Sequence, residues 1–106
     1  MAITKDKLSS RAQNKLDKIQ DLEDQIERLE DDIRRLKIEF DIFFNGGTKK
    51  APHQSRASLE ARIKRINGNR NLAYATRYRL TALISRYTSY RELWRRRLKA
   101  LGEDFI

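Results

Sequence analysis

The chain has no cysteine and only one histidine, His53. The first absence removes disulfides and thiolate zinc sites and suits a reducing compartment. The second leaves His53, next to Pro52, with no companion imidazole or thiol, so neither a metal site nor a cofactor is expected. Long apolar runs are missing as well. No segment approaches the roughly 20 apolar residues of a membrane helix, and the opening MAITKDKLSS lacks the apolar stretch of a secretory signal. A soluble, cytoplasmic protein with no membrane span is the expectation. No strand alternation and no internal repeat can be found.

What remains is charge and helical periodicity. Of 106 residues 37% are charged and 39% hydrophobic, the profile of thin helical proteins whose side chains mostly face water. The net charge of +9 is unevenly placed: residues 1 to 53 hold 11 basic and 11 acidic side chains, residues 54 to 106 hold 13 basic and 4 acidic. Eleven of those 13 are arginine, whose planar fork suits carboxylate or phosphate.

From Ile19 the apolar residues recur at alternating spacings of three and four: Ile19, Leu22, Ile26, Leu29, Ile33, Leu36, Phe40, Phe43. This is a heptad seam. Isoleucine at a with leucine at d favours a parallel two-stranded coiled coil, in which Lys18 would face Glu23 and Asp32 would face Lys37. The same seam could instead be the core face of an intramolecular hairpin, with the acidic band from Asp21 to Asp32 lying against the arginine-rich second half. Both contacts coexist in a dimer of hairpins. Upstream, Leu8, Ala12 and Leu16 extend the stripe more weakly, and that end is expected to fray or to need a partner.

Asn45-Gly46-Gly47 should end the helix through the left-handed conformation that these residues tolerate. Residues 45 to 54 then form a flexible basic linker; Asn45-Gly46-Gly47-Thr48-Lys49-Lys50 has neither the spacing nor the preceding strand of a phosphate loop. Ser55 is a fair N-cap for a short helix bearing Leu59, Ile63 and Ile66, which Asn67-Gly68 would close. A last helix should start near Asn69 to Asn71 and run to Leu101, stopped by Gly102. Its stripe reads Ala73, Thr76, Leu80, Leu83, Tyr87, Tyr90, Trp94, Leu98, Leu101. The expected fold is all-α: a long coiled-coil helix over 1 to 44, the linker over 45 to 54, and a basic two-helix module over 55 to 106. The two parts pack as one domain, a hairpin with a broken return arm or a three-helix bundle, and the molecule is expected to be a homodimer.

On the last helix Tyr74 and Tyr78 lie opposite the main stripe, one turn after Arg70 and on the face of Thr81, Ser85 and Ser89. Either the second helix or another subunit covers that face, or Arg70, Tyr74, Arg77, Tyr78, Arg95, Arg96 and Arg97 form an anion-binding strip. Zinc-finger, RRM and KH signatures are absent, and a bZIP would place its basic block before the zipper. The carboxylates fall mainly on solvated helix flanks, so no catalytic residue is assigned and an enzyme is not expected.

Phe40-Asp41-Ile42-Phe43-Phe44-Asn45-Gly46, with Arg77-Tyr78-Arg79-Leu80 and Arg86-Tyr87-Thr88-Ser89-Tyr90-Arg91-Glu92-Leu93-Trp94, resembles a small helical domain found in bacterial proteins, myxobacterial ones among them. The resemblance spans about residues 36 to 101 and brings no activity, ligand or site residue. It implies a C-terminal module to which the acidic heptad segment is joined as a dimerisation arm. The function expected from the residues is that of a helical adaptor or scaffold. It would self-associate through the seam and offer a basic, aromatic surface to an acidic protein. The alternative is a binder of nucleic acid or nucleotide phosphate, cyclic dinucleotides included.

Overall fold

The computed structural model describes residues 2 to 103, with side chains for residues 10 to 103. Within them the chain forms three α-helices and no strand: α1 (Ala2–Phe44), α2 (His53–Asn67) and α3 (Tyr74–Ala100). The body measures 70 × 23 × 18 Å with a radius of gyration of 19.0 Å, where a compact chain of this length would have about 13 Å.

The seam is buried by the chain's own helices. Ile26, Leu29, Ile33, Leu36, Phe40 and Phe43 form one core with Leu59, Ile63 and Ile66 of α2 and Leu80, Leu83, Tyr87, Trp94 and Leu98 of α3. Contacts along α1 fix the helix directions. Glu30 meets Arg79 at 3.3 Å, Lys37 sits 5.9 Å from the Tyr90 ring centroid, and Phe40 stacks on Trp94 at 4.2 Å. Partner numbers rise together, so α3 runs parallel to α1. Between them α2 runs back: its middle holds Asp32 through Arg62 at 2.6 Å, and its first residue, His53, lies 3.8 Å from Glu103 just past the end of α3. The return arm is therefore two layers of a three-helix bundle.

The helix ends follow from local chemistry. After Phe44 the Gly46 N–H donates to the Phe43 carbonyl and the Gly47 N–H to the Ile42 carbonyl, with Gly46 at φ 84°. This 6→1 and 5→2 pair satisfies the last carbonyls and needs a residue without a Cβ penalty in the left-handed region. Gly102, at φ 81°, closes α3 in the same way. Gly68 ends α2 but stays right-handed at φ −76°.

Two boundaries differ from the sequence expectation. Helix α2 begins at His53 behind Pro52 with no side-chain cap, two residues before Ser55, because proline's fixed φ suits a helix entry. Helix α3 begins at Tyr74 because the Asn69 side chain accepts the Asn71 N–H and holds residues 69 to 71 in a turn. Within the linker Ala51 is buried against the core and anchors it. Helix α1 begins at Ala2, in keeping with the helix expected over 1 to 44; Leu8 lies outside the described side chains.

At 1.5 Å per residue α1 is about 65 Å long, and with the roof beginning at Ile26 its stretch from Ala2 to Gln25 overhangs the bundle by roughly 35 Å. Every side chain from Ser10 to Asp21 is exposed, Leu16 at 59% and Ile19 at 44%, and Leu22 is half-buried. Only the seam from Ile26 onward is roofed.

Phe40, fully buried, also stacks on Phe44 at 5.9 Å, and Trp94 lies 5.9 Å from Tyr90 and 6.0 Å from Tyr87. Phe40→Ala opens a cavity at the centre of this cluster and should destabilise the fold by about 3–5 kcal/mol in urea unfolding. Leu16→Ala, on the overhang, should change it by under about 1 kcal/mol.

Candidate partner-binding surface

Most of the arginine surplus is used inside the molecule. Glu30 of α1 receives Arg79 at 3.3 Å and Arg86 at 4.0 Å, and Asp32 receives Arg62. Only the end of the acidic band, at Glu30 and Asp32, thus meets the basic half within one chain. These pairs are partly exposed and each adds little stability; they set which arginines remain available.

A more enclosed cluster joins α2 to α3. Arg56, 4% exposed, donates to Glu60 Oε2 at 2.7 Å, and Arg91 Nε donates to Glu60 Oε1 at 2.9 Å. Arg56 falls three residues before Leu59 on the stripe that continues through Ile63 and Ile66, so helical spacing sets it on the inner face of α2, where Glu60 meets its charge. Beside it the Tyr87 hydroxyl is buried without an aligned hydrogen bond. Burial first, and the Glu60 carboxylate second, push this phenol well above its usual 10, against the opposing pull of Arg56 and Arg91.

The seven residues expected to bind an anion are dispersed. Tyr74 and Tyr78 open α3 and are 88% and 73% exposed, so α2 does not cover them. Arg70 precedes them in the exposed turn between the helices. Arg77 does something else: its guanidinium donates to the Asn67 carbonyl at 3.0 Å, to Asn67 Oδ1 at 2.8 Å and to the Asn69 carbonyl. It clasps the C-terminus of α2 to the first turn of α3, and so orients the two tyrosines instead of joining them. The face beyond them, with Thr81, Ser85 and Ser89, is also exposed.

Arg95, Arg96 and Arg97 lie about 25 Å further along α3 and point three ways. Arg95 pairs with Glu92 at 2.9 Å, Arg97 lies 4.1 Å over the Phe44 ring, and Arg96 is exposed. They do not form one strip with Tyr74 and Tyr78.

The fold also assembles cations that sequence reasoning missed. Arg28 of α1 and Arg62 and Arg65 of α2 line an open recess of about 490 Å³ with Gln25, Asp32 and Ile66. Arg28 reads in sequence as a lone cation in an acidic band, and only the antiparallel α1–α2 register brings it to the α2 arginines. A second recess, of about 590 Å³, lies where the overhang leaves the bundle, between Ile19 and Leu22 on α1 and Leu72, Ala73 and Thr76. Among the described residues no three His, Asp or Glu side chains converge to hold a metal ion, and no helix is long and apolar enough to cross a membrane.

Three variants check these assignments. Glu60→Gln leaves Arg56 buried without its carboxylate and should lower stability by about 2 kcal/mol, short of the 3–5 for a fully buried pair because Glu60 keeps some solvent contact. Arg77→Ala should lower it by about 1 kcal/mol. Tyr87, neutral in the fold and ionising near pH 10 when unfolded, contributes stability that is complete below pH 10 and lost as pH rises toward its folded value. Urea midpoints measured across that range should fall less steeply for Tyr87→Phe than for the parent chain.

Compared with known proteins, the chain matches no family model, no curated protein and no solved structure.

Proposed function

We propose that this chain is a non-enzymatic helical adaptor. It self-associates through the exposed part of α1 and offers the corner between α2 and α3 to an acidic protein partner. The observation that carries the reading is the exposure of Tyr74 and Tyr78 side by side on the first turns of α3, next to Arg70, while Arg77, Arg79 and Arg86 are held in place by other groups. Two rigid aromatic side chains with a nearby guanidinium have the character of interface hot spots. The cluster of buried Arg56 with half-buried Glu60 and Arg91 is read as a clamp between helices, not as acid–base machinery.

A second reading is favoured by the same pair. Tyrosine faces beside an arginine can stack on unpaired bases or on a nucleotide, with cation–π support. The partner would then be nucleic acid or a cyclic dinucleotide. The location that fits either reading is the cytoplasm.

Labelled acidic peptides, single-stranded RNA and a cyclic dinucleotide should be titrated by fluorescence anisotropy at low and high salt. The adaptor reading expects the acidic peptide to bind and Tyr74→Ala with Tyr78→Ala to weaken it at least about tenfold. Tyrosine-dependent binding of RNA or the dinucleotide, falling steeply with salt, moves the assignment to the second reading. Absence of binding to all three at low salt removes both.

A further inference from the structure

We infer that the recess between α1 and α2 walled by Arg28, Arg62 and Arg65 is a binding site for a phosphate group, free or carried by a small molecule. The site lies apart from the Tyr74 and Tyr78 corner and does not depend on the reading given to it.

The ion pairs along α1 single out Arg28. Arg34 pairs with Glu30 and Asp31 of its own helix, Arg35 with Asp32, and Lys37 with Asp41. Arg28 has the same opportunities, with Asp24 four residues before it and Asp31 and Asp32 three and four residues after. Among the described residues it makes no ion pair, and neither does Arg65. Asp32 is held instead by Arg62 across the groove at 2.6 Å. Arg65 lies in the last turn of α2, where the carbonyl end of the helix favours a cation. Arg28, in mid-helix, has no such use.

Charge is balanced elsewhere in the same groove. Toward the start of α2 its walls hold Asp32 and Glu39 against Arg35 and Arg62. In the recess three arginines meet one carboxylate, Asp32, and that carboxylate is already drawn to Arg62 and Arg35. Two positive charges are left without a counter-ion around an open space of about 490 Å³.

The donors select the ligand. Packed helices lie about 8–10 Å apart, so long side chains from the facing flanks reach over the same space. Each guanidinium presents its N–H groups as a planar fork suited to oxyanions, and half-buried Gln25 lines the recess beside them with an amide. A phosphomonoester brings three acceptor oxygens and a charge of about −1.5 to −2 at pH 7, which matches the two unbalanced arginines. A carboxylate brings two oxygens and a single charge.

Inorganic phosphate and phenyl phosphate, titrated at constant ionic strength into the nitrogen-15-labelled full chain, should shift the Nε–H resonances of Arg28 and Arg65 and leave those of Arg70 and Arg96 in place. A response to both assigns a site for the group itself, and a response to one alone assigns the free ion or the ester. Arg28→Gln with Arg65→Gln should weaken binding about tenfold or more. The urea midpoint should not change, since both side chains are exposed. Lys49→Gln with Lys50→Gln removes the same charge well beyond a Debye length away and should leave affinity within about twofold. Equal shifts at every exposed arginine, equal weakening by the two double variants, or no response to either phosphate would each overturn the inference. Tighter binding of citrate at the same arginines would overturn the phosphate assignment.

Discussion

Trp94 stacks on Phe40 at 4.2 Å with an interplanar angle of 15°, and the arrangement of the chain depends on keeping those two rings together. Phe40 lies near the end of α1 and Trp94 near the end of α3, so their contact requires the two helices to run in the same direction. A chain that makes parallel neighbours of its first and third helices must return between them. Helix α2 is that return, and its Leu59, Ile63 and Ile66 close the side of the seam that α3 leaves open. Residues 53 to 67 are enough to cover the seam back to about Gln25 and no further, which is why the start of α1 is left without a roof.

Electrostatics follows the packing. Glu30, Asp32 and Glu60 take arginines from the other helices, so the seemingly polarised sequence becomes a bundle with matched flanks. Among the groups left unmatched are carboxylates at the base of the arm and the Arg70, Tyr74 and Tyr78 group at the opening of α3. These leftovers carry the functional reading, because they are the charged and aromatic groups for which the fold has no internal use.

Regular periodicity made much of this readable in advance. The seam from Ile26 to Phe43 and the stripe from Leu80 to Leu98 repeat at helical spacing, and the breaks at Gly46, Asn67-Gly68 and Gly102 mark helix ends that glycine and asparagine favour. The parts that could not be read depend on contacts between distant residues. Arg77 looks like one more surface cation until its partners Asn67 and Asn69 are placed beside it. Arg56 shares the spacing of Leu59, Ile63 and Ile66, yet its charge reads as solvated until Glu60, bridged to Arg91 of α3, is placed beside it. Ile19 and Ile26 are equivalent in pattern, yet one is exposed and one is covered, a difference set by how far α2 reaches. The exposure of Tyr74 and Tyr78 has the same origin, since the face opposite the stripe is open only if no other helix lies over it.

The parallel register of α1 and α3 also has a mechanical meaning. The start of α1 lies at one end of the 70 Å body and the end of α3 at the other. A force applied between those points would not peel the helices apart one turn at a time. It would slide α1 against α3 along their common axis, so that the Phe40 and Trp94 stack, the Glu30 and Arg79 pair and the aliphatic core between them would have to fail together. Loaded in this way the molecule is a strut whose joint is strained in shear, the geometry in which many weak side-chain contacts resist as one.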